Sequence, residues 1–212
     1  MPSLAPWVAN QRFWLRWTLV TIASVLWMLV VNMGLMITIQ GPSIAGLLLS
    51  SWMVGLGQGW VLRPHMRHGN RWLWATTLGL VISFYTGMIL GWMLIASLTQ
   101  AQAAIAVQWF SGLMSGLWVG GVMGLAQWWV LRRHCRHSWI WVPGSALAWG
   151  LGLTVGFLPW PIERLLPNVT PIGSRLLTLM PLLAGVAIAS SLSGLVLATL
   201  LGLPKRHGEM TS

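Results

Sequence analysis

Two histidine pairs in this sequence have the spacing of a metal site. His65 with His68, and His134 with His137, are both His-x-x-His arrangements. Four imidazoles from two neighbouring loops are a ligand set that zinc or copper accepts. Arginine lies inside each pair, however, and the whole chain has only two acidic residues to offset a bound cation. We therefore expect no metal and interpret these histidines as solvated loop residues close to lipid phosphates.

Catalytic chemistry has equally few candidates. The apolar segments contain no carboxylate, and the sequence has no Gly-x-Ser-x-Gly elbow, no His-Glu-x-x-His motif and no phosphate-binding loop. An enzyme that works inside a membrane needs such groups at depth. The sequence predicts a protein that is not an enzyme and holds no cofactor. It leaves open a lipid or carotenoid-like apolar ligand beside the deeper tryptophans, which are Trp27, Trp52, Trp118 and Trp149.

The elements that carry the histidines are repeated along the chain. Residues 55–68 read GLGQGWVLRPHMRH and residues 124–137 read GLAQWWVLRRHCRH, so that ten of fourteen positions are identical. A fainter third copy begins at Gly194 and ends at Arg206 and His207. This pattern predicts one structural unit copied three times within a single domain, residues 1–212, with units at about 14–68, 72–137 and 139–207.

The composition indicates that lipid surrounds most of these units. Only 7% of residues are charged, 56% are hydrophobic and the mean hydropathy is +0.74. Six runs contain no charged residue: 17–39, 43–62, 72–97, 109–131, 139–160 and 176–203. Each is long enough to cross a hydrocarbon core of about 30 Å, which takes about 20 helical residues. The predicted fold class is all-α: an integral membrane protein with six transmembrane helices, arranged as three parallel-repeated helical hairpins.

The placement of the basic residues predicts an orientation. Ten of the twelve fall at alternate helix ends on one side, and only Arg164 and Arg175 fall on the other. This positive-inside bias places both termini and the Arg/His loops in the cytoplasm. The net charge of +10 then reflects topology and attraction to anionic headgroups, and it does not indicate a nucleic-acid site. The predicted location is a bacterial inner (plasma) membrane or a thylakoid-type membrane.

Basic residues at this end form the predicted binding face for anionic lipid or for another membrane protein. The set is Arg63, Arg67, Arg132, Arg133, Arg136, His65 and His134.

Small residues and amides inside the spans predict how the helices meet. Gly112, Gly116, Gly120 and Gly124 follow one another at every fourth position, a spacing that lets helix backbones approach closely, and Gly55 and Gly194 take the place of Gly124 in the other copies. Gln58 and Gln127 occupy the same place in the two strong copies and are expected to hydrogen-bond between helices. Leu197 breaks this pattern in the third copy.

Nine of the seventeen tryptophans cluster at the basic helix ends, where indole commonly anchors a protein in the headgroup layer. The predicted anchors are Trp14, Trp17, Trp60, Trp72, Trp74, Trp128, Trp129, Trp139 and Trp141.

The segment GLAQWWVLRR at 124–133, followed by Trp139-Ile-Trp141, resembles uncharacterised multi-pass bacterial membrane proteins that carry a repeated G-x-x-Q-W-x-V-L-R segment and are familiar from cyanobacteria and related phyla. The likeness covers the two strong copies, residues 50–152. It implies a bacterial membrane location and no established activity, so no functional residue is carried over.

These patterns favour a non-catalytic scaffold or accessory subunit that binds anionic lipid or a membrane partner through its cytoplasmic face. The alternative is a small permease or channel with a path between the hairpins. A membrane enzyme ranks third.

Overall fold

The computed structural model describes residues 5–39, 44–66, 69–98, 104–135, 137–156 and 171–202. Over these ranges the chain is all-α, as predicted, with six helices and no strand. The helices are α1 (Ala5–Ile39), α2 (Ile44–Leu62), α3 (Gly69–Leu98), α4 (Ala104–Leu131), α5 (Trp141–Gly156) and α6 (Pro171–Gly202), and a 3-10 turn (Ser138–Ile140) precedes α5.

Four helices, α1, α3, α4 and α6, begin earlier than the apolar runs suggest. Helix α1 begins at Ala5 and continues through Arg12 and Arg16, because charged side chains are compatible with a helix that starts outside the apolar layer. Helix α6 begins at Pro171, and proline suits a first turn because the amide it lacks would have no partner there. Arg175 therefore lies inside this helix.

Four of the six helices are long and apolar enough to cross a membrane. They contribute the stretches Gln11–Asn32, Ile44–Leu62, Trp109–Leu131 and Met180–Gly202. Helix α5 has 16 residues and follows directly on the three-residue 3-10 turn, so that the two together approach the roughly 20 residues of a span. Helix α3 carries Asn70 and Arg71 in its first turn.

The six helices form a closed ring. Each packs on its neighbours along the chain, and α6 packs back on α1. The interior holds two apolar clusters. One contains Trp17, Trp72 and Trp141, and the other contains Val25, Leu80 and Trp149, which lie further along the same three helices.

Large apolar side chains also cover the outside of the ring. Leu19 is 64% exposed, Val30 65% and Leu147 59%. A helix that is apolar on all sides is typical of a segment surrounded by lipid or buried in a large core.

Candidate functional site

The helix ends that carry arginine meet at one end of the ring. One apolar cluster joins Phe13 of α1, Leu62 of α2, Leu131 of α4 and Leu197 of α6. Six arginines lie within two residues of a member of this cluster in the sequence, and all six are exposed. We refer to them together as the arginine face: Arg12, Arg16, Arg63, Arg71, Arg132 and Arg133. The predicted site residues Arg67 and Arg136 lie outside the described residues.

Two turns with the same hydrogen bonds build this face. After α2, the amides of His65 and Met66 both donate to the carbonyl of Leu62, at 2.8 and 2.9 Å. After α4, the amides of His134 and Cys135 donate to the carbonyl of Leu131 at the same two distances. The shared Val-Leu-Arg sequence before each turn thus leads into one local conformation.

Tryptophan side chains hold two of the guanidinium groups. Arg132 lies over the rings of Trp128 and Trp129, 5.6 and 5.5 Å from their centroids, and Arg133 lies 5.5 Å from that of Trp129. Such cation–π contacts are worth about 0.5–1 kcal/mol at exposed sites. They fix the position of the charges while leaving their outer edges accessible to an anion.

The two described histidines beside the arginine face, His65 and His134, have different surroundings. His65 is exposed and its ring lies edge-on to Phe13, with centroids 5.1 Å apart. His134 is half-buried, with Nδ1 3.2 Å from the carbonyl oxygen of Val130. Within the part of the chain that the structure describes, no three His, Cys, Asp or Glu side chains are close enough to hold a metal.

The predicted tryptophan anchors divide into three groups, of which one, Trp14 and Trp128, is half-buried. Trp60, Trp74, Trp129 and Trp139 are 52–61% exposed beside the arginines, as anchors would be. Trp17, Trp72 and Trp141 are at most 1% exposed, so their interpretation as interface anchors is wrong. Each occupies the first helix of a hairpin and points into the ring, because its indole nitrogen finds a hydrogen-bond acceptor there.

These three indoles form a triad on the axis of the ring. The centroid of Trp17 lies 6.0 Å from that of Trp72 and 6.3 Å from that of Trp141, and Trp72 and Trp141 are 6.2 Å apart. The near-equal separations give the triad threefold pseudosymmetry. Three tilted indoles with 0–1% exposure close the interior at the arginine end.

A buried layer of hydrogen bonds lies beside the triad. Gln58 Oε1 accepts from Trp72 Nε1 at 3.3 Å and from Gln127 Nε2 at 3.2 Å. Gln127 Nε2 also donates to Thr76 Oγ1 at 2.9 Å, while its Oε1 accepts from Trp141 Nε1 at 3.0 Å. Gln58 Nε2 reaches Thr21 Oγ1 at 3.5 Å. The two amides therefore link α1, α2, α3, α4 and α5, and we call this set the amide layer.

The third copy lacks the amide, and the layer is incomplete there. Leu197 occupies the place of Gln58 and Gln127 and is fully buried. Trp17 Nε1 instead donates to Ser193 Oγ at 3.3 Å. Ser145, which corresponds to Thr76, is buried with no hydrogen-bond partner for its hydroxyl among the described residues. One substitution thus accounts for both departures from threefold pseudosymmetry.

The glycine stripe of α4 faces α5. A Cβ on Gly112 would lie 2.8 Å from the carbonyl oxygen of Leu153, and a Cβ on Gly116 or Gly120 would overlap the carbonyl of Trp149 or Ser145.

The glycines at the arginine end of the second helices admit the tryptophan-bearing helix of the next hairpin. A Cβ added to Gly55 would lie 2.7 Å from the carbonyl oxygen of Leu73. A Cβ on Gly124 would lie 3.3 Å from Val142 Cα, and one on Gly194 would lie 2.8 Å from Trp17 Cδ1.

A sequence signal for the triad was available in its spacing from the glutamines. Trp72 follows Gln58 by 14 residues, and Trp141 follows Gln127 by the same 14. Helix periodicity alone does not show it, because the same residues are equally suited to a headgroup layer.

Comparison of this chain with protein-family models, with curated proteins and with solved structures finds no match.

Proposed function

We propose that the chain is an integral membrane protein whose six helices cross the bilayer, with both termini and the arginine face in the cytoplasm. Support comes from hydroxyl groups on the outer surface that are paired within their own helices. Thr86 Oγ1 donates to the carbonyl of Ile82 at 2.6 Å, and Thr199 Oγ1 to that of Leu195 at 2.9 Å. Hydroxyls that face lipid need such internal partners, because no water is present to pair with them.

Within that membrane the proposed role is a non-catalytic scaffold or accessory subunit that binds anionic lipid or an acidic membrane partner. The observation that carries this proposal is the arginine face: six exposed arginines at one end, two of them fixed on indole rings, in a chain with only two acidic residues. Basic residues near a membrane contribute about 1 kcal/mol each toward anionic lipid. The proposed location is a bacterial inner (plasma) membrane or a thylakoid-type membrane.

The tryptophan triad favours this role over a channel. A path along the axis would have to pass between indoles whose centroids are 6.0–6.3 Å apart. A path between hairpins would have to separate helices that the amide layer joins, or α6 from α1, which are joined by hydrogen bonds from Trp14 to Ser191 and from Trp17 to Ser193. We therefore expect no ion or solute flux from vesicles that contain the purified protein, and flux above that of empty vesicles would favour the permease alternative.

Selective retention of anionic lipid tests the proposal. The protein is purified in mild detergent from nanodiscs that contain equal amounts of phosphatidylglycerol and phosphatidylcholine, and its retained lipids are quantified by mass spectrometry. We expect phosphatidylglycerol to be enriched several-fold, and the combined substitution R63Q/R71Q/R132Q/R133Q to bring the ratio close to that of the bulk bilayer.

The control is R164Q/R175Q, which removes two arginines that the sequence assigns to the opposite side and should leave the enrichment unchanged. Equal retention of the two lipids by the unaltered protein, together with no co-purifying protein, would contradict the proposed role.

A further inference from the structure

The second layer of the ring interior contains a cavity of about 370 Å³. All six helices contribute to its wall, so it lies on the axis of the ring. Val25, Leu80 and Trp149 line it, each one turn beyond the corresponding residue of the set Thr21, Thr76 and Ser145. The cavity therefore begins directly behind the amide layer, which together with the tryptophan triad separates it from the arginine face.

The wall of this cavity is apolar and uncharged. Besides one glycine and two serines, it consists of aliphatic and aromatic side chains and methionine. One of the serines, Ser83, donates its hydroxyl to the carbonyl of Leu80 at 2.9 Å. A water molecule needs two to four polar partners, so a wall of this kind does not hold ordered water. A charged ligand would lose its hydration without gaining a counter-charge.

The volume is that of a small-molecule site. Ligand pockets measure about 300–1,000 Å³. Apolar cavities of about 150 Å³, smaller than this one, bind benzene or xenon. At about 30 Å³ for each water in the liquid, the space accommodates about a dozen non-hydrogen atoms. The three indoles fill the ring at the arginine end, whereas Val25, Leu80 and Trp149 in the next layer leave this room between them.

We propose that this cavity is a binding site for one compact, uncharged, apolar molecule of about a dozen non-hydrogen atoms, such as a cyclic hydrocarbon or a small terpenoid. The site is independent of the arginine face, since the triad and the amide layer lie between them. Its ligand comes from the apolar phase of the membrane, where molecules of this class concentrate.

Photolabelling with adamantyl diazirine tests the site, because the adamantane cage matches the cavity in size. The full chain in phosphatidylcholine nanodiscs is illuminated at increasing concentrations of the probe, and labelled residues are identified by mass spectrometry. We expect saturable labelling at the wall, around Val25 and Leu80, which excess adamantane suppresses at least fivefold. Labelling of outward residues such as Leu19 and Leu195 should rise in proportion to the probe and resist competition.

Filling the cavity provides the matched comparison. Val25 is 5% exposed and lines the wall, whereas Val30 on the same helix is 65% exposed. V25F should abolish the saturable labelling, and V30F should leave it intact. V186F, on the neighbouring helix α6, serves if V25F does not fold by circular dichroism and size exclusion. If neither filled variant folds, adamantane competition on the unaltered chain decides. Labelling of the wall that is absent, that does not saturate, or that persists in a folded filled variant would overturn the proposal.

Discussion

At the scale of single residues, Thr76 and Ser145 occupy corresponding places but differ in their surroundings. Both are fully buried, one turn after Trp72 and Trp141. Thr76 Oγ1 donates to Gln58 Oε1 at 3.4 Å and accepts from Gln127 Nε2 at 2.9 Å. The hydroxyl of Ser145 has no partner in the described part of the chain. A hydroxyl buried without a partner destabilises a fold, whereas a paired one stabilises it.

Removing the two hydroxyls should therefore have opposite effects. We expect Thr76→Ala to lower the free energy of unfolding by about 1–2 kcal/mol, because two interhelical bonds are lost at about 0.6 kcal/mol each and an amide is left underpaired. Ser145→Ala should leave stability unchanged or raise it. Unfolding in mixed micelles with increasing dodecyl sulfate, followed by circular dichroism, measures both. Equal losses would show that the hydrogen bonds of the amide layer contribute nothing.

Leu197→Gln should complete the amide layer in the third copy. The new side chain would accept from Trp17 and donate to Ser145, as Gln127 does with Trp141 and Thr76. We expect a gain of about 0.6 kcal/mol, because the bond to Ser145 is new whereas the bond from Trp17 replaces the one that Trp17 now makes to Ser193. Leu195→Gln is the control: Leu195 is 50% exposed on the same helix, and an amide there would lie on the outer surface of the ring.

A double-mutant cycle assigns that gain to its partner. If the new amide bonds to Ser145, adding Ser145→Ala to Leu197→Gln should cancel most of the gain, although Ser145→Ala alone does not destabilise the protein. A loss of stability in Leu197→Gln itself would mean that the third copy has adapted to leucine and no longer has room for the amide.

At the scale of helices, two adjacent glycines of α4 differ in how closely they approach α5. A Cβ on Gly120 would overlap the carbonyl oxygen of Ser145 and lie 2.8 Å from Ala146 Cα. A Cβ on Gly121 would have the Cβ of Ala146 as its nearest neighbour, at 3.9 Å. Backbone atoms cannot yield as the end of a flexible side chain does, so only the first substitution forces the helices apart.

We expect Gly120→Ala to lower the free energy of unfolding by about 1–3 kcal/mol through overpacking. Gly121→Ala should raise it by up to about 1 kcal/mol, because alanine favours a helix over glycine and fits the available space. The same micelle unfolding experiment compares the adjacent positions. A similar response at both would mean that the stripe does not set the distance between α4 and α5.

The helices and the glutamines that hydrogen-bond between them could be predicted from the sequence, but the tryptophan triad and the cavity could not. Apolar runs without charge define most helix bounds, since a span must exclude charged side chains. The burial of Trp17, Trp72 and Trp141 is not visible in composition, because a tryptophan at a helix end suits both a headgroup layer and a bundle core. The cavity depends on the summed volumes of side chains from six helices, which no single segment reveals.

At the scale of the whole molecule, the closed ring fixes which ends of the helices lie together. Helices α2 and α4 end at the arginine face and α3 and α5 begin there, and α6 returns to α1. The two arginine-bearing turns therefore lie on the same side of the ring. If the ring spans a bilayer, a reagent that reaches one of these turns must reach the other.

Cysteine labelling from each side of the membrane tests this arrangement. Cys135 is the one cysteine in the sequence and lies in the second turn. N70C/C135S moves the thiol to an exposed position after the first turn, and Q102C/C135S moves it to the connection that the sequence places on the opposite side. We expect an impermeant maleimide to label Cys135 of the unaltered protein and the new cysteine of N70C/C135S only in inverted vesicles. It should label Q102C/C135S only in intact cells. Labelling after denaturation provides the total thiol, so that a protected cysteine is distinguished from one on the far side. Labelling of Cys135 and of the cysteine in N70C/C135S from opposite sides would be incompatible with a ring that spans the membrane as three hairpins.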